Sequence, residues 1–448
     1  MIRILGCMNT ATPCLSRRAT AALLLSALLP LIDSSIVTVL LPAIATTISG
    51  SAAALPLGIS GFILTATVGI IVSSTCMRRF GTRTIWQIAL GGFAFASVAV
   101  ALSPTVTVFL TARLVQGLAC GFIMPAVHTL VVEAVGRAGM RAALTTIGVP
   151  AVIAPAFGPL FGGLLQELVG WRPLFAINLP LVLLALIFRG SLAEPQTHPA
   201  PLGIVQALPA VIGGVGLVSA LNYSSYLPAP TLGAVLGASA LLIVLFSLLD
   251  LHSEHPLLSV SIYRYTRFST TMILCVLIGS VFYGSLLSTS LHIHNTLGGT
   301  TSMAGVVLGV QGGGAWIARR AMQTCFASTP AFLVMGAGLG VAGAATLGIH
   351  TISSMSWGLL VAAALRGLGL GACTLVALSA SYEGVPDEQA AVVGTHTRLM
   401  LQLGGALGTA LVGAWPGSSA GLGAGLAAVA LAGTVLATIA NRVFRRIA

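Results

Sequence analysis

The chain has 448 residues, 56% of them hydrophobic and 6% charged, with a mean hydropathy of +1.03, a balance that no water-soluble surface carries and that marks an integral membrane protein. Its net charge of +11 would suit nucleic acid only on a soluble domain with a basic patch, and no connection between apolar runs is long enough to form one. Seven scattered cysteines without paired spacing or a CxxC motif argue against a disulfide framework or a metal site, and no GxxxxGK[ST] loop is present for nucleotide hydrolysis, so neither metal nor cofactor is expected.

Residues 1–18 read as a cytoplasmic N-terminus. Arg17 and Arg18 open an apolar run that continues past Asp33 to Pro42 without a cleavage site, so it is the first span (19–42) rather than a signal peptide. Runs long enough to cross the hydrocarbon core follow at 56–76, 84–102, 106–132, 142–166 and 173–190. Two more lie at 204–223 and 230–250, and six at 268–290, 301–318, 330–349, 356–380, 391–413 and 418–441, making fourteen. The domain reading is a six-helix bundle over 19–190, a second over 268–441, and between them residues 191–267. That middle stretch holds the linker "RGSLAEPQTHPAPLG", two additional spans and the interfacial segment "LHSEHPLLSVSIYRYTRF". Residues 442–448 form a cytoplasmic tail.

All 20 basic residues are arginine. With the N-terminus inside, sixteen lie in inside segments, only Arg172 lies outside, and Arg113, Arg366 and Arg398 lie within spans. Both termini are therefore expected to be cytoplasmic. Asp33 is the one acid deep in a span, and such a group is a functional candidate by default, because a charge there is unfavourable by several kcal/mol unless paired, protonated or hydrated. At about 1.5 Å of rise per residue, Asp33 of span 1 and Arg113 of span 4 sit at similar depths, roughly 10 to 14 Å below the outer boundary, and can meet.

Span 4 reads "ARLVQGLACGFIMP", with Arg113, Gly117 and Gly121 on one face. Span 12 echoes it with "LRGLGLGAC", where Arg366 precedes Gly367, Gly369 and Gly371. Spans 5 and 13, "APAFGPLFGG" and "RLMLQLGGALGTALVG", are both glycine-rich, and this repeated order suggests two related halves. The GxxxG pairs Gly158/Gly162 and Gly404/Gly408 read as packing chemistry, and Pro155 and Pro159 weaken the backbone ladder of span 5. Gln116, Asn178 and Gln402 are candidates to line a cavity. His128 is either a proton relay or a packing residue, and Arg366 and Arg398 are either substrate-facing cations or groups bonded to helix ends. One acid against three intramembrane arginines disfavours a dication, so the expected solute is amphipathic and monocationic, neutral or anionic.

The successive stretches "LIDSSIVTVLLPAI", "RRFGTR", "RLVQGLACG", "APAFGPLFGG", "GWRPLFAINLPL", "HPLLSVSIYRYTRF" and "TRLMLQLGGALGTALVG" resemble, in order, the signatures of the fourteen-helix drug:proton antiporters of the major facilitator superfamily, the EmrB/QacA-like group. The resemblance covers about residues 28 to 413. It implies an all-α membrane fold with two six-helix bundles around a central cavity, two extra central helices, and alternating access of a midplane site. It also implies proton coupling by Asp33 and Arg113, an antiport and gating motif at Gly158, Pro159, Gly162 and Gly163, and a cytoplasmic loop motif at Arg79, Gly81 and Arg83. The loop departs from the family pattern, with Ser74 at the first glycine and Arg78 at the acidic position, which removes the usual charge relay.

The function expected is proton-coupled efflux of amphipathic small molecules in the cell (inner) membrane. Its partners would be the solute, protons, the lipid bilayer and a membrane-fusion protein, with no nucleic acid, and the chain would act as a monomer. A dedicated exporter of an endogenous metabolite, such as a siderophore or secondary product, is the alternative on the same scaffold. A polytopic membrane enzyme is a third reading, which lacks the clustered nucleophile, histidine and carboxylate groups it would need.

Overall fold

A computed structural model describes residues 15–51, 54–147, 149–192, 204–224, 227–253, 256–324, 329–354, 356–386, 389–415 and 417–447, without the side chains of 136–157 and a few other helix-end positions. Inside lipid every backbone N–H and C=O must be satisfied within its own segment, and the chain answers with helices throughout. In order these are α1 (Arg17–Ala45), α2 (Leu57–Phe80), α3 (Thr82–Ala101), α4 (Val106–Ile147), α5 (Val149–Val169), α6 (Arg172–Ala176) and α7 (Asn178–Ile187). There follow α8 (Ile204–Asn222), α9 (Ala229–Leu251), α10 (Thr266–Asn295), α11 (Thr301–Thr324), α12 (Ala331–Thr351), α13 (Trp357–Ala380), α14 (Ala390–Gly413) and α15 (Ser419–Ile447). Helices α6 and α7 together form the sixth span, so fourteen spans result, and ten helical stretches among the described residues are by themselves long and apolar enough to cross a membrane.

The helices pair in a pattern that occurs twice. In the first bundle α2 and α3 pack on α4, and α1 packs on α5 and α7; in the second, α11 and α12 pack on α13, and α10 packs on α14 and α15. The bundles meet through two seams, α5 on α11 and α2 on α14. Helices α8 and α9 pack on each other, and α8 leans on α2 and α14. Most of α9 is exposed, and its second half exposes leucine, isoleucine and valine as a lipid-facing helix requires. This is the two-bundle, fourteen-helix architecture anticipated from the apolar runs.

Two local features add to the sequence reading. The fourth span was expected to end near 132, yet α4 continues to Ile147, because "VVEAVGRAGMRAALTTI" is rich in strong helix formers and contains no proline to stop it. The segment before α10 was expected to lie along the headgroups. It turns Leu257, Leu258 and Ile262 into the protein interior, with a 3-10 turn at Val260–Arg264.

Candidate functional site: a buried carboxylate and two intramembrane cations

Asp33 of α1 and Arg113 of α4 meet. Arg113 Nη1 donates to Asp33 Oδ2, and both side chains are only 1% exposed. The same nitrogen donates to Gln116 Oε1 at 2.6 Å, and Arg113 Nε donates to the Gly58 carbonyl of α2 at 3.2 Å. The guanidinium also stacks over the Phe62 ring at 4.1 Å. The second carboxylate oxygen is held separately: Gln116 Nε2 donates to Asp33 Oδ1 at 2.8 Å and Asn178 Nδ2 of α7 at 3.4 Å. Both carboxamides also donate to Ser97 Oγ of α3, at 2.9 and 3.1 Å. Five helices thus converge on one carboxyl. Gln116 and Asn178, expected to line a cavity, are instead buried inside the first bundle as part of this network.

The second bundle has a buried cation of its own with no acid beside it among the described residues. Arg366 of α13 is fully buried; its Nε and Nη2 donate to Gln311 Oε1, the former at 3.0 Å, and its Nη1 donates to Thr289 Oγ1 at 2.7 Å. Of the two readings left open for Arg366, the bonded one describes its surroundings, though its partners are side chains rather than helix ends. Arg398 of α14 is different: it is partly exposed, and its enclosed Nη1 has no hydrogen-bond partner among the described residues. It lies within electrostatic reach of Cys120 and His128 of α4 and Tyr283 of α10. Gln402, one turn beyond Arg398, likewise has an enclosed, unpartnered carboxamide oxygen.

The glycines of α5 face two ways. Gly158 and Gly162 lie against Ser35 and Ile36 of α1, where a Cβ would crowd both side chains. Gly163 turns to the other bundle, where a Cβ would stand 2.7 Å from the Thr301 carbonyl and 2.9 Å from Gly305 Cα of α11. Pro159 is buried in the same turn, its carbonyl against Gly305. On this seam Ser302 Oγ donates to the Gly163 carbonyl at 3.1 Å, and the Ser302 amide donates to Glu167 Oε1 at 3.1 Å. Gly404 and Gly408 of α14 serve α10 similarly, against the backbone of Val276 and Ser280. Glycine here is a device for backbone contact between helices.

Residues 23–409 match the family model described as Major Facilitator Superfamily. The chain belongs to the major facilitator superfamily. It is 28% identical over 315 residues to the methylenomycin A resistance protein of Bacillus subtilis (strain 168), covering 68% of this chain and 66% of that protein. It is 28% identical over 403 residues to the tetracenomycin C resistance and export protein of Streptomyces glaucescens, covering 84% and 72%. The matched stretches thus span about two thirds to three quarters of these longer relatives. Among solved structures, the POT family transporter PepTSo superposes with a TM-score of 0.74 over 97% of this chain and 99% of that one, at 17% identity, which speaks for the fold. As a member of this superfamily the chain is a multi-pass secondary transporter, not an enzyme.

In this facilitator the loop of "RRFGTR" is built on Gly81, whose φ of 83° favours glycine and which joins α2 to α3. Arg79 stacks at 5.7 Å on Phe80, and Arg83 is partly exposed in the first turn of α3. Beside it Thr82 Oγ1 donates to Glu133 Oε1 of α4 at 2.6 Å. Three groups escaped the sequence reading. Ser97 joins the Asp33 network as an ordinary serine in an apolar run. Asp250, at the end of α9, accepts from the backbone amides of Leu257, Leu258 and Val260 at 2.6, 3.2 and 2.9 Å. His396 of α14 holds the same segment by donating from Nε2 to the Leu258 carbonyl, which leaves Nδ1 to accept from Tyr263 Oη at 3.2 Å. Only the depth match of Asp33 with Arg113 was open to sequence; nothing in the spacing marks Ser97 or His396.

Proposed function

We propose that the chain is a proton-coupled exporter of amphipathic small molecules, of the kind found in the EmrB/QacA-like group, with its arginine-rich end and both termini in the cytoplasm. The observation that carries this reading is the single deep carboxyl, Asp33, held by one cation and two carboxamides. Ionised, Asp33 is stabilised by Arg113; protonated, it loses that attraction, and Arg113 keeps Gln116 and the Gly58 carbonyl. One proton therefore changes the forces among α1, α2, α3, α4 and α7. The bundles 19–190 and 268–441 would rock about the glycine seam of α5 with α11 and the seam of α2 with α14, exposing the space between them to each side in turn. The relatives named for resistance and export support the outward direction.

The test is flux in proteoliposomes with an imposed pH gradient and a panel of amphipathic dyes. A gradient is expected to drive dye against its concentration, and Asp33→Asn is expected to abolish that dependence. Full gradient-driven flux in Asp33→Asn would overturn the reading. A dedicated exporter of one endogenous metabolite is the second reading, favoured by relatives named after single compounds. Movement of several unrelated dyes decides against it.

A further inference from the structure

Arg398 stands on α14 with Gln402 one turn further along the same face. Both present an enclosed polar atom without a hydrogen-bond partner among the described residues, the Nη1 of one and the Oε1 of the other, while both side chains remain partly exposed. The Tyr283 ring of α10 lies against Gly405, three residues beyond Gln402. From the other bundle, Cys120 and His128 of α4 come within electrostatic reach of the guanidinium. The cluster thus draws on residues of both bundles.

The five acids with described positions are committed elsewhere. Asp33 is bound by Arg113, Glu133 by Thr82, Glu167 by Ser302, Asp250 by three backbone amides, and Glu383 by Arg267 at 2.8 Å. The remaining four, Glu194, Glu254, Asp387 and Glu388, lie in connections outside the described residues. The nearest of these in sequence, Glu388, precedes Arg398 by ten residues. Arg113 has a carboxylate and Arg366 has two neutral acceptors, but among the described residues Arg398 has neither. A cation enclosed without counter-charge is unfavourable until an anion arrives.

Resting on the transporter reading above, we propose that Arg398 and Gln402 recognise an anionic group, a carboxylate or sulfonate, on the transported solute, with the Tyr283 ring beside them. A guanidinium presents parallel N–H groups to two oxygens of such an anion. The Gln402 carboxamide, whose ends interchange by rotation, donates to a further oxygen or accepts from a solute hydroxyl. The solute class, open between monocation, neutral and anion in the sequence, narrows to amphipathic anions, since a cation would meet Arg398 without screening.

The test uses the full chain in phosphatidylcholine nanodiscs and two dyes sharing one aryl-amine body, 1-anilinonaphthalene-8-sulfonate and the neutral N-phenyl-1-naphthylamine, with saturable binding read as quenching of protein fluorescence. The wild-type protein is expected to bind the sulfonate at least about tenfold more tightly than the neutral dye, and Arg398→Gln to lose that factor while keeping neutral-dye affinity, which also reports an intact fold. Arg398→Lys, which keeps the charge without the fork, and Gln402→Ala are each expected to weaken sulfonate binding about threefold. Absence of a sulfonate preference in the wild type, or equal loss of both dyes in Arg398→Gln, would overturn the proposal. Loss of sulfonate binding when phosphatidylglycerol replaces part of the lipid would assign the site to a lipid headgroup and overturn it as a solute site. No gradient enters this experiment, so proton coupling and anion recognition stand or fall separately.

Discussion

Gln116 and Arg366 hold equivalent places in the two bundles. Each precedes a glycine whose face meets a carbonyl of the neighbouring helix: Gly117 lies on Phe62 of α2, and Gly367 lies on Gln311 of α11. One turn later Gly121 meets Ala66, and Gly371 meets Ala315. In this register the counterpart of Arg113 is Ala363, so the arginines of spans 4 and 12, which look like echoes in the sequence, are not equivalent positions. The repeat lies in the glycines. The two bundles share a packing scheme while placing a carboxylate site in only one of them.

Arg366 and Arg398 therefore differ in what their removal leaves behind. Arg366→Ala strips Gln311 and Thr289 of their donors inside a closed bundle and opens a cavity, an expected loss of about 3 kcal/mol. Arg398→Ala removes a cation with an unpartnered Nη1 and is expected to change stability by less than about 1 kcal/mol. Thermal unfolding of both variants in one detergent checks the contrast. Equal losses would show that Arg398 has a structural partner.

Asp33 and Arg113 should show strong energetic coupling. Asp33→Asn leaves a buried guanidinium without its counter-charge, and Arg113→Gln leaves a buried carboxylate likewise, each an expected loss of about 3–5 kcal/mol. The double variant removes both charges, so its loss should fall short of the sum by about 1–3 kcal/mol. Additive losses in a double-mutant cycle would mean that the contact contributes no net pairing energy.

Glu167 offers a pH test at the opposite end from the arginine-rich connections. It lies one residue past the fifth predicted span, and the Ser302 amide, followed by the hydroxyls of Thr300 and Ser302, holds its carboxyl below the usual carboxylate range. Because the pKa is lowered in the folded state, the contribution of this contact is present above the ordinary carboxylate range and is lost as pH falls through the lowered value. Spin labels on Leu168 and Met303 should give a narrow distance distribution at neutral pH that broadens only in strong acid. Glu167→Ala should be broader already at neutral pH; identical distributions would remove Glu167 from the seam.

The architecture was legible because membrane insertion leaves its record in composition: each span is a run of apolar residues, and the arginines mark one end of each. Asp33 and Arg113 were legible for a related reason, since a charge in an apolar run stands out and depth follows from counting. The groups that complete the network were not. Ser97 resembles any small residue of a membrane helix, and Asn178 and Gln116 name polarity without direction. Only the packing of α3, α4 and α7 around α1 turns them toward one carboxyl. Arg398 stands out in its span, but that its Nη1 has no partner among the described residues was equally hidden, because a vacancy of hydrogen bonds has no sequence pattern.

Asp250 shows the same limit and yields the last prediction. In sequence it is one acid among several beside a connection, whereas in the fold its two oxygens gather the amides of Leu257, Leu258 and Val260 into a clasp. The clasp holds the chain where Ser259 adopts a φ of 53°, a left-handed conformation unfavourable for serine. Asp250→Ala would leave three amides without their acceptor, at about 1–3 kcal/mol for each that stays enclosed. The segment should then open locally. Asp250→Asn keeps one accepting oxygen and should hold part of the clasp. Amide exchange over residues 256–262 is expected to rank Asp250→Ala fastest, Asp250→Asn intermediate and the wild type slowest, while exchange in α10 and α14 stays unchanged. Equal protection in all three would assign the segment's order to His396 and Tyr263 instead.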